Sequence, residues 1–263
     1  MSLKVILVGF GNIAEQGHLP VYREQDIEIA AVVDICAKRR QRAAVYGLDA
    51  YEKLEDVDVK ADFIDLCTPP NYRLEALEYA CEHDLDVICE KPLSHTGDIP
   101  RLKEILDNNS VFLSPVHNWK YAPHYREIKE LVRDNGILEV EMNTLRDGYN
   151  HGNPDWDPDW RVRREISGGG ILMDHGYHNI YLAMYLLGKD FKEARLKDIE
   201  FFPNSGVEKK ASFELFFPER VVVNLDWYAG RREVRNTIYS DGSVIQLLDD
   251  KIIVDGNEQR LNG

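Results

Sequence analysis

The chain opens on short, uninterrupted apolar runs. Residues 4–8 end in Gly9 and residues 27–33 end in Asp34, as strands buried on both faces of a parallel sheet do. Helical and strand patterns then alternate: 36–46 reads as helix, 63–67 as strand, 71–83 as helix, 86–89 as strand, 99–106 as helix and 111–116 as strand. This β-α rhythm predicts a doubly wound parallel sheet, a Rossmann-type α/β domain over residues 1–119. After a connecting helix at 121–133 the rhythm changes. Residues 137–145 read as strand, 149–160 as a loop of Asn, Asp, Pro and Trp, and about 171–187 as a long helix. Runs at 210–217, 221–227, 236–239, 244–248 and 251–254 read as strands, with Asp241-Gly242 and Asp255-Gly256 as turn signals. Residues 120–263 are thus expected to form an antiparallel-rich α+β domain with an open sheet.

Composition narrows the partners. The 263 residues are 44% apolar and 30% charged, ordinary for a globular chain with a sizeable core. A formal charge of -14, from 46 acidic against 32 basic residues, disfavours nucleic acid and anionic lipid. It does not disfavour an anionic cofactor, because helix N–H groups hold a pyrophosphate without lysine. Cys36, Cys67, Cys81 and Cys89 form no C-x-x-C pair and read as reduced core residues, so no metal is expected. No apolar run nears the roughly 20 residues of a membrane span and no leader pattern precedes the first strand. The expected location is the cytoplasm.

Gly9-Phe10-Gly11-Asn12-Ile13-Ala14 is G-x-G-x-x-A between the first strand and first helix. Gly9 permits the tight turn, Gly11 the approach of a pyrophosphate, and Ala14 close helix packing. Asp34 closes the second strand, where a carboxylate accepts hydrogen bonds from the adenosine ribose. A carboxylate there repels a 2′-phosphate, which favours NAD over NADP. Lys38, Arg39 and Arg40 follow one turn later; they read as a solvated helix face within reach of a phosphate.

Four segments together resemble the Gfo/Idh/MocA family of oxidoreductases: the glycine motif, Thr68-Pro69-Pro70-Asn71, Glu90-Lys91-Pro92, and Asp174-x-x-x-His178 behind Gly168-Gly169-Gly170. The resemblance implies an NAD-dependent enzyme that moves a hydride to or from a carbinol or carbonyl carbon of a sugar, inositol or similar polyhydroxy compound. It implies cofactor contacts from Gly9, Gly11, Asn12, Ile13, Asp34, Thr68, Pro69, Asn71, Glu90 and Lys91. Lys91, Asp174 and His178 would be catalytic, with Asn118, Lys120, Trp160 and Arg161 bordering the substrate beside them. Arg146, Tyr149, Asn150 and His151 are further pocket candidates.

Physical chemistry agrees with those roles. Ligands of open α/β sheets bind outside the carboxyl ends of strands, where Glu90 and Lys91 lie. An ammonium there stabilises negative charge on the reacting oxygen. Asp174 and His178 are four apart and share a face of an α-helix; the imidazole suits proton transfer near neutral pH. Asp174 would orient the imidazole, stabilise its charged form or bind substrate, and the spacing leaves these open. His175 points elsewhere on such a helix and reads as structural. The triple glycine reads as a close approach for nicotinamide or substrate, or as a flexible loop.

Arg73 stands where many relatives carry histidine. The chain ends roughly 60 or more residues before common relatives do, without their C-terminal bracing segment. An exposed second sheet would then pair with another subunit, predicting a homodimer or homotetramer. Two other functions fit the same fold: a nonenzymatic NAD-binding sensor, and a glycosidase that reduces NAD transiently.

Overall fold

The computed structural model describes residues 2–133 and 136–259. The outermost ends of the two expected domains, residues 1 and 260–263, lie outside the described residues. The chain packs as two compact units: residues 1–116 with 151–168, and residues 117–150 with 169–263. The first unit therefore recruits 151–168, which the continuous division at 119/120 assigns to the second domain.

In the first unit the elements run β1 (Lys4–Val8), α1 (Leu19–Glu24), β2 (Glu28–Val33), α2 (Ala37–Val45), β3 (Ala50–Tyr51), β4 (Phe63–Leu66), α3 (Arg73–Glu82), β5 (Asp86–Cys89), α4 (Ile99–Asn108) and β6 (Leu113–Pro115). All six strands are parallel, in the order β3-β2-β1-β4-β5-β6. Alternation along β1 explains its unbroken apolar run. Val5 and Leu7 pack with Leu19, Tyr22 and Ala43 on one face, while Ile6 and Val8 pack with Leu77, Leu102 and Ile105 on the other. Both faces are covered, so neither can be polar. The chain order reverses beside β1, leaving the carboxyl ends of β1 and β4 adjacent.

Segment 151–168 ties back to this unit through polar side chains. Asn153 Nδ2 donates to Asn12 Oδ1 at 2.7 Å, His95 Nε2 lies 3.1 Å from the carbonyl of Ile166, and Trp156 meets Tyr72 edge-on.

The second unit begins with α5 (Pro123–Leu131) and β7 (Ile137–Asp147). In chain order a one-turn helix of the first unit, α6 (Arg164–Ser167), comes next, then α7 (Tyr177–Leu187) back in the second. Seven strands complete the second unit: β8 (Glu193–Phe201), β9 (Glu208–Phe216), β10 (Arg220–Asp226), β11 (Tyr228–Ser240), β12 (Ser243–Leu248), β13 (Lys251–Val254) and β14 (Asn257–Gln259). The sheet order is β14-β13-β12-β11-β7-β10-β9-β8, antiparallel except for β7 with β10. Val140, Met142, Phe213, Val223 and Leu225 are buried at alternate positions. The helical turn just before α7 lies on them, since a Cβ at Gly176 would sit 3.3 Å from Leu225 Cδ1. The other strand positions carry Glu139, Glu141, Asn143, Glu214 and Asn224. The same face also carries Leu145, Phe216, Val222, Tyr239 and Val244, so it is mixed in character.

Strand β8 escapes the sequence pattern because nearly all its residues are exposed. It is an edge strand, and its charges suit an unpaired edge. Among the described residues no helix is long and apolar enough to cross a membrane.

Candidate functional site

The glycine turn is built as its residues require. Gly9 has φ +89°, and a Cβ there would stand 2.9 Å from Thr68 Cγ2 and 3.0 Å from Thr68 N. Only glycine fits where β1 passes β4. A Cβ at Gly11 would meet nothing within 4 Å, so the backbone there faces open space. Asn12 and Ile13 are exposed on the rim, and Ala14 is fully buried. The first helical turn, Ala14–His18, is π-helical and runs into α1.

Asp34 is half-buried and braces this turn: Oδ2 accepts from Phe10 N at 2.7 Å and Oδ1 from Cys36 N at 2.8 Å. Burial raises its pKa against the pull of those two bonds. Each carboxylate oxygen retains a second lone pair for a ribose hydroxyl. The neighbouring cations are already committed, in contrast to a solvated helix face. Arg39 is buried, its Nε donating to the Phe10 carbonyl at 2.6 Å and Nη2 to Glu15 at 2.6 Å. Arg40 donates to the Asp34 carbonyl and to Glu52. Lys38 is the exposed one, 3.8 Å from Asp155. Cys67 and Cys89 are buried and Cys81 packs half-buried against the core, whereas Cys36, also half-buried, is no core residue.

At the carboxyl ends of β4 and β5 the polar groups are arranged differently. Thr68 Oγ1 and Asn71 Oδ1 are buried with no hydrogen-bond partner among the described residues, each an outlay of about 1–3 kcal/mol unless something else supplies one. Thr68 also flanks Gly9, and Pro69 leads into the single turn Pro70–Tyr72 that carries Asn71. These groups and the open backbone at Gly11 fit a dinucleotide lying across the strand ends.

Arg73, at the position of the family histidine, is buried. It donates through Nε to the Thr68 carbonyl at 2.8 Å and through Nη1 to the carbonyls of Glu90 and Pro92. It serves the backbone of two strand ends. Glu90 is half-buried; its Oε2 accepts from Lys91 N at 3.1 Å and its Oε1 lies 3.2 Å from His18 Nε2. The other His18 nitrogen is 2.5 Å from Asp65 Oδ2, which Tyr22 also reaches at 2.8 Å. Burial opposes the charge on His18, but Asp65, Cys67 and Glu90 overcome it and hold the imidazole protonated well above its usual range. Burial likewise pushes Glu90 up, and His18 and Lys91 bring it net below its ordinary value. Lys91 itself is half-buried.

In the second unit, candidates lie at the start of α7 and on the turn Asn118–Tyr121. Residues Leu172–Gly176 form a π-helical turn before α7, so Asp174 and His178 do not lie on one regular α-helix as their spacing predicts. Asp174 Oδ2 is 3.1 Å from Nδ1 of His175; burial lowers the pKa of Arg146, and the charge of Asp174 works against that lowering. His175, read as structural, lies directly beside the candidate acid. His178 is buried, stacked on Trp119 at 4.2 Å and 9°, with Nδ1 2.7 Å from the Tyr181 hydroxyl. That hydroxyl also accepts from Trp119 N at 3.2 Å. Asn118 and Lys120 flank Trp119 on the turn Asn118–Tyr121, where Lys120 lies over the Tyr121 ring.

The glycines before this turn are packed. A Cβ at Gly170 would stand 2.0 Å from the Glu208 carbonyl oxygen. Glu208, buried on β9, accepts from Gly170 N at 2.7 Å and Leu172 N at 3.1 Å, capping the helical segment from another strand. Gly169 and Gly170 therefore serve strand packing. Gly168 belongs to the first unit, closing α6 with φ +78° beside the His95 ring. Trp160 and Arg161 also lie in the first unit, on the turn Trp160–Val162, with the Arg161 guanidinium over the Trp160 ring at 4.4 Å.

Comparison with known proteins places the chain. Residues 3–117 match the family model of GFO_IDH_MocA oxidoreductases with an NAD-binding Rossmann fold, and residues 125–256 match the GFO/IDH/MocA C-terminal domain. The chain belongs to this family. It is 28% identical to D-glucoside 3-dehydrogenase of Escherichia coli over 79% of this chain and 60% of that protein. It is 27% identical to inositol 2-dehydrogenase of Rhizobium meliloti over 72% of this chain and 56% of that one. The chain thus spans less than two thirds of either relative. The crystal structure of an oxidoreductase from Thermotoga maritima shares the fold, with a TM-score of 0.84 at 22% identity over 99% of this chain and 83% of the other.

Proposed function

We propose that the chain is an NAD-dependent oxidoreductase acting on a carbinol or carbonyl carbon of a sugar, inositol or related polyhydroxy compound. The observation that carries this reading is the edge formed by β1, β4 and β5: an open glycine backbone, two unpartnered buried acceptors on Thr68 and Asn71, and Lys91 one strand away. The cofactor supplies the hydride acceptor or donor. Asp34 binds the adenosine ribose, and its carboxylate disfavours NADP. Lys91 hydrogen-bonds the reacting oxygen and stabilises charge that develops on it. His178 takes the hydroxyl proton in oxidation and returns it in reduction. Tyr181 and the Trp119 ring hold the imidazole in one orientation for that transfer. Asp174, beside His175, fixes the polar surroundings of the same substrate group.

The relatives named as glucoside and inositol dehydrogenases support the substrate class. Self-association through the second sheet belongs to the same reading; a monomeric mass by light scattering at micromolar concentration would remove it. The deciding experiment is a 340 nm absorbance screen over sugars, inositols, sugar acids and keto-sugars, in both directions, with NAD and NADP. Turnover with NAD supports the reading. Tight NADH binding without turnover across the panel favours a nonenzymatic sensor, and release of sugar without net NADH favours redox-assisted glycoside cleavage.

A further inference from the structure

We infer that His18 and Arg73 are positioning residues for the Glu90–Lys91 turn, His18 holding the Glu90 carboxylate and Arg73 holding the main-chain carbonyls on either side of Lys91. The inference rests on the role proposed above for Lys91. Its basis is geometric. Lys91 lies between two residues, Glu90 and Pro92, whose carbonyls both accept from Arg73 Nη1. The same guanidinium reaches the Thr68 carbonyl at 2.8 Å, locking the end of β5 to the end of β4. From another direction the His18 ring spans Asp65 and Glu90, at 2.5 and 3.2 Å, while Glu90 Oε2 accepts from Lys91 N.

Asp65 is the anchor of this arrangement. It is a fully buried carboxylate in the middle of a central strand, a placement that costs heavily unless a cation meets it. His18 is that cation, and Tyr22 supplies a further donor. The ligating atoms of His18, Asp65 and Cys67 lie within 4.8 Å of one another, which raises the question of a metal. The separation answers it. Tetrahedral bonds of about 2.0–2.3 Å place two ligand atoms roughly 3.3 Å or more apart, whereas His18 and Asp65 stand 2.5 Å apart, the distance of a charge-assisted hydrogen bond.

Two variants, His18→Gln and Arg73→Lys, test the inference, read by competitive acetylation of lysines with limiting acetic anhydride and mass spectrometry. The rate at Lys91 should move at least threefold toward that of the exposed Lys103 in both. Val32→Ala, a core change on β2, which pairs with neither β4 nor β5, should leave the Lys91 rate unchanged at an equal or larger loss of Tm. Because His18→Gln strands the Asp65 charge and risks unfolding, the double variant His18→Gln/Asp65→Asn is the companion and should show the same shift. With a substrate in hand, kcat should fall tenfold or more while the Kd for NADH stays within threefold. The labelling arm needs no substrate, so a failed substrate screen and a failed inference are separate results. An unchanged Lys91 rate in both variants, or an equal change in Val32→Ala, overturns it. So does a stoichiometric metal in the purified protein that is lost with His18→Gln.

Discussion

Two turns of the first unit do comparable work by opposite means. The turn after β1 is shaped by its own backbone: Gly9 adopts a conformation only glycine accepts easily and its N donates to the Val33 carbonyl at 2.7 Å, while the side chains of Asp34 and Arg39 add braces on Phe10. The turn after β5 has no glycine. It is held by side chains 17 or more residues away in sequence, Arg73 and His18. A backbone-encoded turn leaves a signature readable in six residues; a turn encoded by distant side chains leaves almost none. The first also tolerates little change at its glycine, whereas the second fails by degrees as individual struts are removed.

The largest expected effect falls on the second turn. Lys91→Ala should lower turnover by about a hundredfold or more with NADH affinity nearly retained, because the amine acts on charge that exists mainly in the transition state. His178→Ala should match it in size, as loss of a positioned proton acceptor does. Near-normal turnover in both would dissolve the proposed mechanism.

The first turn should separate stability from binding. Gly9→Ala forces a side chain into a positive-φ position and onto Thr68, costing about 1–3 kcal/mol in backbone strain alone. Both Tm and NADH affinity should fall. Gly11→Ala meets open space, so Tm should hold while NADH binding weakens about tenfold or more, where a methyl blocks the pyrophosphate. Equal Tm losses in the two variants would show that the open space at Gly11 is not the cofactor's approach. Asp34→Ala should raise the NADPH-to-NADH affinity ratio by about tenfold, the size of one charge-assisted hydrogen bond lost on the NADH side. An unchanged ratio would take cofactor choice away from Asp34.

How much was legible follows from the same contrast. Residues 86–89, 251–254 and the start of the helix at 99 coincide with β5, β13 and α4, because buried strands and helix starts carry local patterns. The two Asp-Gly turns close hairpins at Gly242 and Gly256, both at positive φ. Strand β11 is longer than the expected 236–239, since its first half is exposed and charged. The motifs also marked Asp34 and Lys91. They did not mark Glu208, whose role as a cap depends on β9 passing Gly170, or Arg73, visible only as a departure. Asp65 did leave a signal: a carboxylate inside the apolar run of β4 demands a buried cation, and the nearest histidine on an adjoining helical turn is His18. The approach of Asp174 to His175 was hidden because the π-helical turn changes which residues share a face.

The smallest effect is a slope with pH, and it probes the side-chain-held turn directly. His18 keeps its proton in the folded protein well above the value of about 6.5 at which an unfolded histidine loses it. Its stabilisation is therefore complete below pH 6.5 and declines as pH rises toward the folded value, because the unfolded chain then releases a proton that the folded one keeps. The decline is at most about 1.4 kcal/mol per pH unit for one proton. Other groups of the cluster are silent in this window: burial pushes Cys67 up to about 12 and raises Tyr22 as well, and Glu90 stays ionised. His117 and His124, lowered by burial, titrate alike in wild type and variant and cancel in a difference. Urea unfolding from pH 6.5 to 8.5 should thus show wild type losing stability relative to His18→Gln/Asp65→Asn as pH rises. Parallel curves would mean that His18 is neutral in the fold, and that the carboxyl end of β5 is held from the Arg73 side alone.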